Sequence, residues 1–130
     1  MYVWDIAFSL STGNGHRERV SVFIRRDSNA NGVADSGDAV VSGASVTVKL
    51  YNGPAPSGTA IFTFSGTTDS NGRFRTSRTA ALAAGTYRAE VDILTHSTYV
   101  WNQALDPTLL DTDLDGNNKP DQAHTIPHLP

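Results

Sequence analysis

Oxygen-bearing side chains recur at alternate positions in a twelve-residue stretch that begins with the sequence DSNANG. Alternate side chains of such a loop can point inward around one centre, and a glycine at position six permits the sharp turn that this requires. Carboxylate, amide and carbonyl oxygens are the ligands of a hard cation. The spacing therefore predicts a calcium site whose ligands are five side chains and one backbone carbonyl, that of the valine: Asp27, Asn29, Asn31, Val33, Asp35 and Asp38.

A second acidic stretch repeats the first half of this pattern, with aspartates at its positions one, three and five before a glycine. Its closing acid stands at position eleven instead of twelve. Carboxylates this close together repel one another unless a cation neutralises them. The two stretches predict one or two bound Ca²⁺ ions, and the ligands expected in the second are three carboxylates, one carbonyl and the closing acid: Asp111, Asp113, Asp115, Asn117 and Asp121.

Ordinary surface turns are also rich in Asp, Asn and Gly. That explanation suits one such loop, but it explains poorly why two loops both repeat oxygen atoms at alternate positions before a glycine. Magnesium fits the pattern less well, because it binds fewer protein ligands and retains water. A site filled at 100 times its dissociation constant adds about 2.7 kcal/mol to the free energy of unfolding. The predicted role of the ion is therefore stabilisation.

The remaining reactive residues form no recognisable catalytic or zinc-binding arrangement. The chain has no cysteine, which excludes disulfides, thiol catalysis and thiolate zinc sites. The tripeptide at 35–37 matches that of aspartic proteases, but their chemistry needs two apposed carboxylates. No G-x-S-x-G motif is present, and the four histidines lack the spacing of a zinc site. We therefore expect no enzymatic activity.

Short runs that alternate or are rich in β-branched residues surround the two acidic stretches, and turn dipeptides separate them. Good helix formers are scarce outside one Ala-rich segment. Seven or eight strands at this spacing predict an all-β fold, a β-sandwich, in one domain over residues 1–130. The predicted strands are Tyr2–Leu10, Arg19–Arg26, Ala39–Tyr51, Ala60–Ser65, Arg73–Ser77, Thr86–Leu94, Ser97–Gln103 and Gln122–Ile126.

The net charge of −3 is unevenly distributed, because each acidic stretch carries −3 and the rest of the chain +3. Nucleic-acid binding needs clustered positive charge, so this distribution argues against it. No run approaches the roughly 20 apolar residues of a membrane span. The abrupt start and the Pro-rich end are typical of a module from a larger protein.

Three aromatic residues, Trp4, Tyr99 and Trp101, have two possible roles. They could pack in the core, as a Trp commonly does in Ig-like sandwiches. They could instead form an exposed platform on which a polysaccharide stacks. The first role is expected of a spacer, and the second of a binding module in which calcium is structural.

Three segments resemble known families. Val20–Leu50, with DSNANGVADSGDAVVSGASVTV, resembles the calcium-binding B-type repeats of bacterial surface adhesins. Thr67–Val91 is similar to the Cna-type B and transthyretin-like families, through its T-D-x-x-G-x-F turn and the later G-T-Y strand. The opening MYVWDI and the closing DP…DTDLDG resemble the C-terminal Ig-like module of secreted subtilisin-like peptidases.

The resemblance implies a seven-stranded sandwich of Ig-like or transthyretin-like strand order. It also implies a secreted or cell-surface location and a non-catalytic accessory role as spacer, stabiliser or attachment module, with a place C-terminal to a hydrolase as one form of that role. In the first loop it implies the same side-chain ligands, with Asp38 where a glutamate is usual. The expected partners are a neighbouring domain of the parent protein and, for a binding module, a polysaccharide or surface protein. We expect a monomer.

Overall fold

The computed structural model describes residues 1–11, 15–53, 59–106 and 119–126, apart from the side chain of residue 104. These ranges form eight strands, which confirms the predicted all-β fold. A short 3₁₀ helix spans Gln103–Leu105. The strands are β1 (Tyr2–Ser11), β2 (Arg17–Arg26), β3 (Ala39–Val40), β4 (Ser45–Asn52), β5 (Phe62–Thr67), β6 (Arg73–Arg75), β7 (Gly85–Thr95) and β8 (Asp121–Ile126).

Two antiparallel sheets form the predicted sandwich. The first has the order β1-β2-β3, with β6 also paired to β2, and the second has the order β5-β4-β7-β8. Alternate residues of a strand point to opposite faces, so a period of two in apolar residues gives each sheet one buried face. The buried apolar residues of β2, β4 and β7 form the core between the sheets: Val20, Val22, Ile24, Val46, Val48, Leu50, Tyr87, Ala89, Val91 and Leu94.

The predicted strand Ser97–Gln103 is wrong, because residues 96–102 form no strand. Their backbone instead bonds to the start of the chain. The Met1 amino group donates to the carbonyl of Val100 at 2.8 Å, and the Asn102 amide donates to the carbonyl of Met1 at 2.8 Å. The alternation of apolar residues in this segment therefore reflects packing beside the first strand.

The single strand predicted over Ala39–Tyr51 is two strands, because the chain crosses between the sheets at residues 41–44. Thr68 holds this crossing. Its carbonyl accepts from the Gly43 amide at 3.0 Å, and its hydroxyl oxygen accepts from the Ala44 amide at 2.9 Å. The short β3 thus belongs to the first sheet and β4 to the second.

The first acidic loop connects two paired strands. β2 ends at Arg26 and β3 begins at Ala39, and these two residues are register partners. The pairing holds both ends of residues 27–38 together, so the sheet brings the first and last predicted ligands into one neighbourhood. In the described part of the chain, no helix has the length and apolar character needed to cross a membrane.

Candidate metal centre

The carboxylate of Asp27 organises the first half of the loop. Its Oδ2 accepts from the Gly32 amide at 2.8 Å, and its Oδ1 accepts from the Asn31 amide at 3.2 Å. Gly32 has a φ of 71° and Ala30 a φ of 55°, both in the left-handed region. The chain therefore turns sharply around Asp27 at the glycine that the sequence pattern singles out.

Asp35 gathers the two predicted amide ligands. Its Oδ2 accepts from Asn29 Nδ2 at 3.1 Å and from Asn31 Nδ2 at 2.7 Å. Its Oδ1 accepts from the Gly37 amide at 2.9 Å. The hydrogen bonds from the two asparagines hold the pKa of Asp35 below its usual value. Three of the predicted ligands thus lie in direct contact.

Asp38 closes the loop and is the only one of its three aspartates that is buried, with 5% of its surface exposed. Its Oδ2 accepts from the Tyr2 hydroxyl at 2.6 Å and from the Asp35 amide at 3.3 Å. Its Oδ1 is shielded from solvent and has no hydrogen-bond donor among the described residues. A buried carboxylate oxygen without a partner is costly, and a bound cation would remove that cost.

Val33, the predicted carbonyl ligand, lies in the exposed part of the loop. The Val33 side chain is 57% exposed, and its amide donates to Asn31 Oδ1 at 3.0 Å. In the described part of the chain, no group of three or more His, Cys, Asp and Glu side chains is arranged to hold a metal ion. The carboxylates of Asp27 and Asp35 face amide donors of the loop itself. The residue types still fit a hard cation, which takes carboxylate and amide oxygens together.

The second acidic stretch lies mostly outside the described residues, which is where Asp111, Asp113, Asp115 and Asn117 fall. Their role as ligands stays a prediction. Asp121 is described: it begins β8, is completely buried, and forms an ion pair with the guanidinium of Arg88. Its role as the closing ligand also stays a prediction.

Two residues that the sequence gave no reason to connect with the loop bind to it. Tyr2 lies 36 positions before Asp38 along the chain. Arg25 donates from Nη1 to the Asp35 carbonyl at 3.3 Å, and its guanidinium lies 4.4 Å from the ring centre of Trp4. The register of β1 against β2, which pairs Tyr2 with Arg25, brings Tyr2 to the loop, and Arg25 lies on the strand that leads into it.

The three candidate aromatic residues differ in environment. Tyr99 and Trp101 are partly buried against the core, and Trp101 Nε1 donates to Asp106 Oδ2 at 3.3 Å. Trp4 is half-buried and lies outside the core cluster. Its ring contacts Tyr2 edge-on and Arg25 through a cation–π interaction. Two of the three rings thus pack against the core, and Trp4 lies outside it.

These features define a class of protein, a two-sheet β-sandwich with an acidic loop between adjacent strands of one sheet. The family model of the SdrD B-like domain matches residues 19–128, which include the whole loop and the crossing between the sheets. The chain belongs to this family. SdrD B-like domains are non-catalytic repeats of cell-surface adhesins. No curated protein and no solved structure is significantly similar to the chain.

Proposed function

We propose that the domain is a non-catalytic, calcium-stabilised spacer of a secreted or cell-surface protein, and that residues 27–38 form its calcium site. Family membership supports the spacer role and the location. The resemblance to C-terminal modules of secreted peptidases supports a position beside a hydrolase, which the domain would hold in place. Its immediate partner is then the neighbouring domain of the parent protein.

The observation that carries the calcium proposal is the state of Asp38. One of its oxygens is buried without a hydrogen-bond donor among the described residues, at the position where a twelve-residue loop closes its shell. A folded protein rarely leaves a buried carboxylate oxygen unpaired. A divalent cation bound by the loop would pair it and would also neutralise the repulsion among Asp27, Asp35 and Asp38.

The loop residues have separate roles in this proposal. Asp27, Asp35 and Asp38 would supply the charge, and the Val33 carbonyl would add a neutral oxygen. Asn29 and Asn31 point their amide nitrogens at Asp35, and their oxygens accept from the backbone amides of Asn31 and Val33. A half-turn of each side-chain amide would present its oxygen to the ion and give up these backbone hydrogen bonds. Calcium supplies the positive charge that replaces those two amide donors. The sequence of the second stretch supports a further ion there.

Calcium would couple the stability of the spacer to its location. Extracellular calcium modules bind with dissociation constants of about 10⁻⁴–10⁻³ M, so such a site fills outside the cell. Binding to the folded state alone raises the free energy of unfolding, by about 2.7 kcal/mol at 100 times the dissociation constant. The chain lacks disulfides, and this coupling would supply a comparable constraint.

Calorimetric titration of calcium chloride into the calcium-free chain tests this proposal. We expect heat of binding for the wild type and the loss of one binding event in Asp35→Asn, because a neutral side chain weakens the charged shell. The matched control is Asp69→Asn, which removes the same charge from the β5–β6 turn. There the carboxylate accepts from the amides of Asn71 and Arg73, and an asparagine oxygen can do the same.

The stoichiometry of the same titration separates the two acidic stretches. If both stretches bind, the wild type takes up two ions. Asp35→Asn then loses the ion of the first stretch, and Asp113→Asn loses the ion of the second. The calcium site would be refuted by a wild type that releases no heat over millimolar calcium and retains no bound calcium in equilibrium dialysis. Equal binding by wild type and Asp35→Asn would refute its assignment to residues 27–38.

A carbohydrate-binding module with structural calcium is the second candidate, and the position of Trp4 favours it. Its indole is half-buried, outside the core, and beside Arg25 at the end of the sandwich that bears the loop. Fluorescence quenching by acrylamide in Trp101→Phe reports on Trp4 alone. An accessible indole whose quenching is reduced by a soluble polysaccharide supports this candidate, and an indole shielded from acrylamide rules it out.

A further inference from the structure

Tyr2 connects the core of the sandwich to the closing residue of the loop. The side chain is completely buried in β1, and its hydroxyl donates to Asp38 Oδ2 at 2.6 Å. We propose that Tyr2 is a positioning residue of the calcium site, which holds Asp38 so that Oδ1 alone binds the ion. This inference rests on the proposed function, because it assigns a role toward the ion that residues 27–38 would hold.

The two oxygens of Asp38 differ in their hydrogen bonding, and this difference carries the proposal. Oδ2 accepts twice, from the Tyr2 hydroxyl and from the Asp35 amide. A carboxylate oxygen has two lone-pair sites, so these donors occupy Oδ2. Oδ1 is shielded from solvent and has no donor among the described residues. Asp38 therefore offers one oxygen to a cation, whereas the closing glutamate of an EF-hand loop offers two.

The location of Tyr2 makes this arrangement rigid. The residue is paired with Arg25 across the β1–β2 ladder, and Arg25 donates to the Asp35 carbonyl at 3.3 Å. Two adjacent strands thus hold the second half of the loop at Asp35 and Asp38. A ligand fixed before the ion arrives loses less conformational entropy on binding. Hydrogen-bond partners of metal ligands commonly change affinity by 10–100-fold when they are removed.

Tyr2→Phe tests the role of the hydroxyl, because it keeps the buried ring and removes only the donor. We expect its calcium dissociation constant, measured by calorimetric titration with calcium chloride, to rise at least about 10-fold. The matched control is Tyr87→Phe. It removes another hydroxyl, which donates to the Ala83 carbonyl at 2.8 Å, from a ring in the core. The control is expected to lose some stability without calcium and to keep the wild-type dissociation constant.

Two results separate this inference from the proposed function. A wild type that does not bind calcium refutes both. A wild type that binds, together with a Tyr2→Phe variant that binds as tightly or more tightly, refutes only the positioning role. The second case would mean that Asp38 gains its other oxygen for the ion when the hydroxyl is removed.

A measurement on the wild type covers the case in which Tyr2→Phe does not fold. A buried hydroxyl proton in a 2.6 Å bond to a carboxylate exchanges slowly enough with water to give a separate proton resonance. We expect this resonance of Tyr2 to persist when calcium chloride saturates the protein. Its disappearance on calcium binding would show that Asp38 leaves Tyr2 to bind with both oxygens, and would overturn the proposal.

Discussion

Asp92 receives two lysine ammonium groups, with Lys119 Nζ 2.5 Å from Oδ1 and Lys49 Nζ 3.4 Å from Oδ2. The hydrogen bond from Lys119 is the largest cause that holds the pKa of Asp92 below its usual value. The same pair raises the pKa of Lys119. Ionised Asp92 is therefore favoured in the folded state, which makes the stability of the domain depend on pH.

The sign of this dependence follows from proton uptake. The pKa of Asp92 is lower in the folded chain than its unfolded value of about 3.9. Between these two pKa values the unfolded chain binds more protons than the folded chain, so stability increases with pH. The contribution is present above the unfolded pKa and is lost as pH falls through the folded one. We expect Asp92→Asn to show a shallower loss of stability below about pH 4, measured by urea unfolding in a calcium chelator.

Lys119→Met is the companion variant, because it removes the largest cause of the lowered pKa of Asp92. It should also reduce the loss of stability as the pH falls below about 4. The contribution of Lys119 has the opposite sign: it is present below the unfolded pKa of lysine and is lost as pH rises through the raised folded value. An Asp92→Asn variant that keeps the full wild-type slope would show that other carboxylates cause the acid loss.

At the residue scale, spacing predicted the candidate ligands of the first loop, and their role as ligands stays a prediction. The structure places Asn29, Asn31 and Asp35 in contact, through the amide nitrogens of the two asparagines and the carboxylate. Spacing could not predict Tyr2, because a bond between residues 36 positions apart depends on sheet register. The same bond ties the buried carboxylate of Asp38 to β1.

Among the elements, the turn between β5 and β6 contacts both strands that flank the loop, β2 and β3. Gly72 has a φ of 72°, and its carbonyl accepts from the Ile24 amide at 2.8 Å. A Cβ atom there would lie 2.7 Å from the Ile24 carbonyl oxygen and 2.8 Å from Val40 Cβ. The turn, β2 and β3 therefore meet at a point where only glycine fits.

We expect Gly72→Ala to lower the free energy of unfolding by about 2–4 kcal/mol, because a left-handed alanine and a steric overlap add together. Gly32→Ala, also measured in calcium chelator, is the control. Gly32 has nearly the same φ, 71°, but a Cβ there meets no atom within 4 Å. Urea unfolding should show a clearly larger loss of the free energy of unfolding for the variant at residue 72. Equal losses in the two variants would contradict the close contact with β2 and β3.

Local patterns predicted most elements but not where the chain changes sheet. The Asn71-Gly72 dipeptide marked its turn correctly, because a glycine that follows asparagine readily adopts a positive φ. The apolar alternation of Ala39–Tyr51 predicted one strand, since a crossing between sheets keeps apolar residues on both sides of it. Ser97–Gln103 misled for a related reason, because its rings pack on the core without strand pairing.

At the scale of the whole molecule, the two sheets meet through an apolar core, and a polar contact also links them. Glu18 of β2 is completely buried, and its Oε1 lies 2.6 Å from His124 Nδ1 of β8. The His124 ring stacks on Phe8, with ring centres 5.1 Å apart. The sandwich was predictable from alternation, whereas this link was not, because it joins residues 106 positions apart in different sheets.

The acidic loop and the sandwich form one structural unit. Tyr2 and Arg25 join residues 27–38 to β1 and β2, so calcium bound in the loop would resist the separation of those strands. A ligand that binds only the folded state stabilises the whole domain and not the loop alone. Stabilisation by calcium can therefore be tested on the unfolding of the whole domain.

The most direct test is the thermal midpoint of the 130-residue chain in saturating calcium chloride and in excess chelator, with magnesium chloride as the control. We expect calcium to raise the midpoint by roughly 10 °C and magnesium by much less, with a smaller calcium effect in Asp35→Asn. Equal midpoints in calcium and in chelator would contradict the calcium-stabilised spacer.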